Sequence, residues 1–173
     1  MDVETISNRL ERLEAIEAIR ALKARYLNAC DRQDPAAVRA CFKDGTCPID
    51  TGYRGIFSNA DDFVAMYAAA ACHDHVFDKH QGSNAEIGLI DSDHASGFWC
   101  LDYRNINGRD QTLTLMSTFY RDSYVRAGGR WLIASSSCEF RTVFHGQFGD
   151  GSLEALLVGR SLANPAFQEK RAF

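Results

Sequence analysis

Apolar residues recur at intervals of three and four along the first part of the chain: Ile6, Leu10, Leu13, Ile16, Ile19, Leu22 and Tyr26. Such a stripe predicts an amphipathic helix. Glu11, Arg12, Glu14, Glu17, Arg20, Lys23 and Arg25 fall on its other faces, and the helix should end near Asp31. Asp34-Pro35 reads as an N-cap followed by proline at the first helical position. A short second helix over 35–42 follows, stopped by Lys43-Asp44-Gly45. Two short strands are expected within 46–56, around Thr51-Gly52. Ser58 or Asn59 then caps a third helix running to about Cys72, with Asp61 and Asp62 in the first turn, where the macrodipole favours negative charge.

The pattern changes in the second half. Segments 76–90, 95–106, 112–125 and 130–144 are rich in β-branched and aromatic residues. Turn signals separate them: Asp91-Ser92-Asp93, Asn107-Gly108 and Gly128-Gly129. Long strands joined by short turns imply a twisted, curved antiparallel meander. Helices first and strands afterwards predict an α+β fold, a cone-shaped barrel in which a strongly curved antiparallel sheet wraps on the N-terminal helices. A further short helix is expected over 153–158. No repeat or linker divides the chain, so 1–173 reads as one domain, with a core of about 10–145 and an extension over 146–173.

Composition narrows the class. Hydrophobic residues make up 46% and charged residues 24%, a balance that argues against wholesale disorder. The net charge of −4, without a dense Lys/Arg stripe, argues against nucleic acid as a partner. The longest apolar run, 64–72, is too short to span a membrane. The acidic first residues carry no apolar signal region, which predicts a cytoplasmic protein. Cys30, Cys41, Cys47, Cys72, Cys100 and Cys138 are scattered and form no Cys-x-x-Cys pair, so reduced, mostly buried thiols are expected.

Four residues stand out chemically. His80, early in the first long strand, has the chemistry of a general base if it faces a cavity, and is otherwise a hydrogen-bonded structural histidine. Asp31 ends the first helix, where the dipole disfavours a carboxylate. It needs a cationic partner such as an imidazolium, unless it is simply solvated. Tyr26 lies on the apolar stripe, with its ring in the core and its hydroxyl free to point into a cavity. Arg141, in Glu139-Phe140-Arg141, is placed to hold an oxygen or stabilise an enolate; the alternative is a rim salt bridge with Glu139 or Asp102. His73-Asp74-His75 with His80 fits a polar loop better than a metal site. Phosphate loops and nucleophile elbows are absent from the sequence. Trp99 and Trp131 read as core residues.

Over about 16–144 the chain resembles the nuclear-transport-factor-2-like, SnoaL-like α+β barrels. The resemblance rests on 19–26, ending in Arg25-Tyr26, on 31–34, and on Gly129-Arg130-Trp131-Leu132-Ile133 at the start of the last strand. It is strongest toward cofactor-independent lyases such as bile-acid 7α-dehydratase, scytalone dehydratase and hexachlorocyclohexane dehydrochlorinase. Tyr26-x-x-x-x-Asp31, His80-Gln81-Gly82 and Arg141 fill the matching positions. The resemblance implies a cofactor-free, metal-free lyase acting on a bulky apolar hydroxylated substrate, such as a steroid or a diaryl lignin-derived compound. In that reading His80 moves the proton, Asp31 fixes its tautomer, Tyr26 donates to the reacting oxygen and Arg141 stabilises negative charge. A homotrimer is implied as well. Two alternatives remain: a C–C lyase releasing formaldehyde from a diarylpropane diol, and a non-catalytic ligand carrier or oxygenase-subunit-like module. A ketosteroid-isomerase-like proton transfer fits less well, because it relies on a carboxylate base.

Overall fold

The computed structural model describes residues 3–148 and the backbone of 157–158 and 161–162; of residue 53 only the backbone is described. Helix α1 covers Val3–Asp31, α2 Pro35–Arg39 and α3 Ala60–Ala71. Strands β1 (Ile49–Asp50) and β2 (Ile56–Phe57) flank a 3-10 turn at Gly52–Arg54. The long strands are β3 (Val76–Leu89), β4 (His94–Asn107), β5 (Thr112–Ala127) and β6 (Arg130–Gln147). They form the expected antiparallel meander, extended by β1 and β2 in the order β2-β1-β6-β5-β4-β3. β1 runs parallel to β6. The fold is α+β as predicted. The sheet is open rather than closed into a barrel, with β2 and β3 at its edges.

Local chemistry sets the helix limits. Asp34 caps α2 by accepting from the Ala37 amide at 2.9 Å, and Asn59 caps α3 by accepting from the Asp62 amide at 2.9 Å. α2 stops at Arg39, short of the expected 42. Phe42 instead bridges to Ile133 on β6 and packs its ring 5.5 Å from those of Tyr26 and Phe63. Tertiary packing of one aromatic ring overrides another turn of helix. In the tail, Leu157–Val158 is a strand (β7) paired with Ser161–Leu162 (β8), against the helix expected over 153–158; residues 153–156 lie outside the described residues. Phe148 is buried, whereas Phe167 and Phe173 lie outside the described residues. All six cysteines are free, three of them buried. Both tryptophans are buried.

The apolar stripe of α1 divides in two. Ile6, Leu10 and Leu13 are exposed, while full burial begins at Ile19 and continues through Leu22, Tyr26, Leu27 and Cys30. Lys23 is the main departure from the predicted charged face. Its side chain is 1% exposed, and its Nζ lies 2.8 Å from Asp122 Oδ2 on β5. Asp122 also accepts from the Tyr124 hydroxyl at 2.8 Å and the Ser136 hydroxyl at 2.7 Å. Trp99 Nε1 in turn donates to Tyr124 at 2.9 Å. The ammonium lies over the Tyr120 ring, 3.8 Å from its centroid. A buried charge pair is tolerated only when its remaining hydrogen-bonding capacity is met, as it is for this carboxylate. Removing one partner strands the other, so Lys23→Met should destabilise the fold by about 3–5 kcal/mol. Urea unfolding measures this, and a loss below about 1 kcal/mol would contradict the assignment.

Candidate active site

Between the concave face of the sheet, the C-terminal half of α1 and α3 lies a cavity. Its walls include Tyr26, Phe63, Tyr67, His80, Tyr103 and Tyr120. The cavity has a volume of about 90 Å³. This interior is mainly apolar. An adjoining, more polar groove of about 320 Å³, lined by Asn105 and Asn107, shares Arg54, Asp78 and Tyr103 with it.

The structure brings Asp31 and His80 together. His80 Nδ1 lies 2.7 Å from Asp31 Oδ1, and the His80 backbone amide donates to the same oxygen at 2.8 Å. Lys79 Nζ donates to Oδ2 at 2.9 Å. Both paired side chains are 13% exposed. An ionised carboxylate only accepts, so the proton between the two groups belongs on Nδ1 and the lone pair on Nε2. Burial alone would raise the Asp31 pKa. The hydrogen bonds from His80 and Lys79 outweigh it and hold the carboxyl below its ordinary range.

This contact depends on the close approach of α1 to β3. A Cβ at Gly82 would stand 2.7 Å from Leu27 Cδ1, so only glycine lets the helix settle there without displacing that side chain. His80 and Gly82 share one face of β3 through the two-residue period of a strand. The glycine that accommodates Leu27 of the helix therefore sits beside the histidine that meets the helix end.

Tyr26 lines the cavity. Burial pushes its phenol well above the ordinary tyrosine value, with neighbouring Cys30 and Tyr120 acting in the same direction. Tyr26 is therefore a neutral hydrogen-bonding group in the site.

Arg141 does not join them. It donates to Glu139 Oε1 at 2.9 Å and stands over the Phe119 ring on the outer face of the sheet. Ser136, Cys138 and Phe140 face the cavity, so the two-residue period of the strand turns Arg141 to the other face. Phe140 pairs with Thr118 and Thr142 with Ser117, so Arg141 is also the extra residue of a β-bulge, and the alternation inverts beyond it.

The cation at the cavity is Arg54, which sequence reasoning missed. Its loop is tightly held. Asp50 accepts from the Gly52 amide at 2.8 Å, and the Thr51 hydroxyl donates to the Gly55 carbonyl at 2.8 Å. Gly52 has φ +63, and a Cβ there would lie 2.5 Å from the Phe140 ring. The glycines bracketing Thr51-Gly52-Tyr53-Arg54-Gly55 were the available signal. Tyr103, opposite His80 across β3 and β4, was also missed. Its ring centroid is 4.7 Å from that of His80, and its hydroxyl donates to Asp78 at 2.7 Å. Asn105 donates to the same Asp78 oxygen at 2.7 Å. Burial, then Asp78, push the Tyr103 phenol up, and a hydrogen bond from Arg54 partly offsets them.

His73 and His75 stack at 5.2 Å, and His73 Nε2 lies 2.8 Å from the Ala69 carbonyl oxygen. Among the described residues no group of three metal-ligating side chains gathers. No described helix is long and apolar enough to cross a membrane.

The depressed Asp31 pKa sets a sign for stability. The stabilisation from its carboxylate is fully present above the unfolded aspartate value of about 3.9. It is lost as pH falls through the lower folded value. Asp31→Asn should therefore flatten the acid limb of the stability curve below about pH 4. Thermal unfolding from pH 6 to pH 2.5 tests this, and identical acid limbs for the two proteins would refute it.

Known proteins share this architecture. A protein of Novosphingobium aromaticivorans provisionally assigned as a scytalone dehydratase superposes with a TM-score of 0.70 at 14% identity, covering 87% of this chain and 97% of its own. The hexachlorocyclohexane dehydrochlorinase LinA-type3 of Novosphingobium barchaimii gives 0.71 at 15% identity, covering 85% and 98%. An NTF2-like protein with a cystatin-like fold from Novosphingobium aromaticivorans gives 0.67 at 19% identity, covering 87% and 92%. These likenesses establish the fold. Among curated proteins no sequence matches. The SnoaL-like domain model matches residues 11–137, most of the chain, and the protein belongs to the SnoaL-like family.

Proposed function

We propose that the protein is a cofactor-independent lyase. It would eliminate water from a hydroxylated substrate whose apolar ring occupies the cavity. The carrying observation is the 2.7 Å contact between His80 Nδ1 and Asp31 Oδ1, with the histidine at the wall of an apolar cavity. Two of the fold's neighbours bear the names of a dehydratase and a dehydrochlorinase, both elimination catalysts, which supports the same reading.

In this mechanism His80 Nε2 takes a proton from the carbon next to the one bearing the hydroxyl. The freed electron pair forms the double bond, the C–O bond breaks, and the imidazolium returns its proton to the departing oxygen as water. Asp31 holds the tautomer and favours the transient imidazolium electrostatically. Tyr26, neutral and buried, hydrogen-bonds to the reacting oxygen. Arg54 takes the charge-stabilising role that sequence analysis gave to Arg141. The interior is small, so a steroid or diaryl body would extend into the polar groove beyond Arg54.

Purified protein and a panel of hydroxylated steroids, steroid thioesters and diarylpropane diols test this. Ultraviolet absorbance reads the new conjugation and mass spectrometry weighs the product. Loss of water supports the proposal; loss of formaldehyde would assign the site to C–C cleavage. His80→Ala should lower kcat by about 10²–10⁴-fold, the usual share of general acid–base catalysis, with folding and ligand binding retained. Undiminished turnover in this variant would overturn the mechanism. Binding without any turnover, unaffected by loss of His80, would favour a carrier.

The expected trimer finds support in the outer sheet face. Leu115 and Phe144 are paired across β5 and β6, and are 43% and 69% exposed. Light scattering should give three times the chain mass, and a monomer at concentrations where turnover is seen would exclude the trimer.

A further inference from the structure

The cavity holds a polar atom that the elimination mechanism does not use. Thr118 on β5 is 2% exposed and lines the cavity. Among the described residues, its Oγ1 is the one buried side-chain oxygen or nitrogen without a hydrogen-bond partner. The residues opposite it on the flanking strands are Leu101 on β4 and Phe140 on β6, both apolar. The Cys138 thiol lies beside it. Burial raises that thiol's pKa, and the Thr118 hydroxyl partly offsets the rise. A thiol is a weak hydrogen-bonding group and leaves most of the hydroxyl's capacity unmet. Burying a hydroxyl without a strong partner is unfavourable, and valine has the same shape without that cost. Its position points to a ligand.

Thr118 is also remote from the acid–base pair. His80 is opposite Tyr103, which is opposite Met116, so Thr118 lies two strands across and two residues along from the histidine. Strand spacing and rise put the two backbones roughly 12 Å apart. Tyr103, Leu101 and Met116 make the surface between them largely apolar. A ring whose reacting carbon is at His80 can therefore present its far end to Thr118.

We infer that Thr118 is a specificity-determining residue, hydrogen-bonding to a hydroxyl or carbonyl group on the ring end of the substrate remote from the reacting carbon. This deepens the lyase reading and rests on it. It narrows the substrate class from apolar hydroxylated compounds to those with a second polar substituent on the buried ring, as in a phenol.

Thr118→Val keeps the shape and removes the hydroxyl. Calorimetric titration with 4-ethylphenol and with ethylbenzene reads the effect in wild type and variant. The preference for the phenol, as a ratio of dissociation constants, should fall roughly 2- to 12-fold in the variant, the equivalent of one net neutral hydrogen bond. The Tm of the variant should equal or exceed that of the wild type. An unchanged ratio would overturn the inference and leave the His80-dependent lyase reading standing. A Tm several degrees lower would reveal a structural role for the hydroxyl and overturn it also. Failure of wild-type protein to bind either probe would remove the ring-binding premise. A shifted ratio with full turnover in His80→Ala would sink the His80 mechanism alone and keep Thr118 as a recognition residue.

Discussion

A lysine ammonium taken out of water must find an anion, and that requirement fixes how α1 lies on the sheet. Lys23 finds Asp122, whose carboxylate is already held by Tyr124 and Ser136. The pair joins the helix to β5 and β6, and Trp99 brings in β4 through Tyr124. From this anchor the helix continues for two turns. Tyr26 and Cys30 come to the cavity wall, and Asp31 reaches β3. The acid–base pair thus depends on a charge pair at the other end of the same helical segment. Gly82 leaves room between α1 and β3 for the Leu27 side chain.

The site is built in two layers of different character. The inner layer is apolar, with neutral phenols whose deprotonation burial disfavours. Hydrogen bonds there are worth more than in water, and unmet ones cost more. The outer layer carries Arg54, Asp78 and Asn105, arranged around the Tyr103 hydroxyl. Tyr103 belongs to both, its ring against His80 and its hydroxyl in the outer network. A substrate that matches this division is apolar where it is enclosed and polar where it emerges.

Much of this was legible in the sequence, and the parts that were not have definite physical causes. Helix caps at Asp34 and Asn59 and the four long strands follow from local rules that operate over a few residues. Asp31, His80 and Tyr26 were found because helix end, strand phase and family resemblance converge on them. Lys23 was misplaced because a charge on a helix reads as solvent-facing until its partner, 99 residues away, is known. Arg54 belongs to a loop whose aim depends on packing against Phe140. Tyr103 and Asp78 required the β3–β4 register, which an irregularity between Ser83 and Glu86 shifts out of simple counting. Arg141 was singled out by its charge among apolar neighbours and by family resemblance, neither of which fixes the face it takes on a strand whose alternation is interrupted by a bulge.

That interruption bears on how this protein is to be rebuilt. Beyond Arg141 the alternation of β6 is inverted, so Val143 pairs with cavity-lining Met116 although Ser136, Cys138 and Phe140 set an even-numbered inner face before it. Chimeras that graft the distal half of β6 from a sibling lacking the extra residue would exchange inner and outer surfaces over the whole graft. A gapless alignment across this point pairs lumen positions with exterior ones. Splice points and library positions are therefore best chosen from ladder partners, with Phe140 and Thr142 as the reference marks on either side.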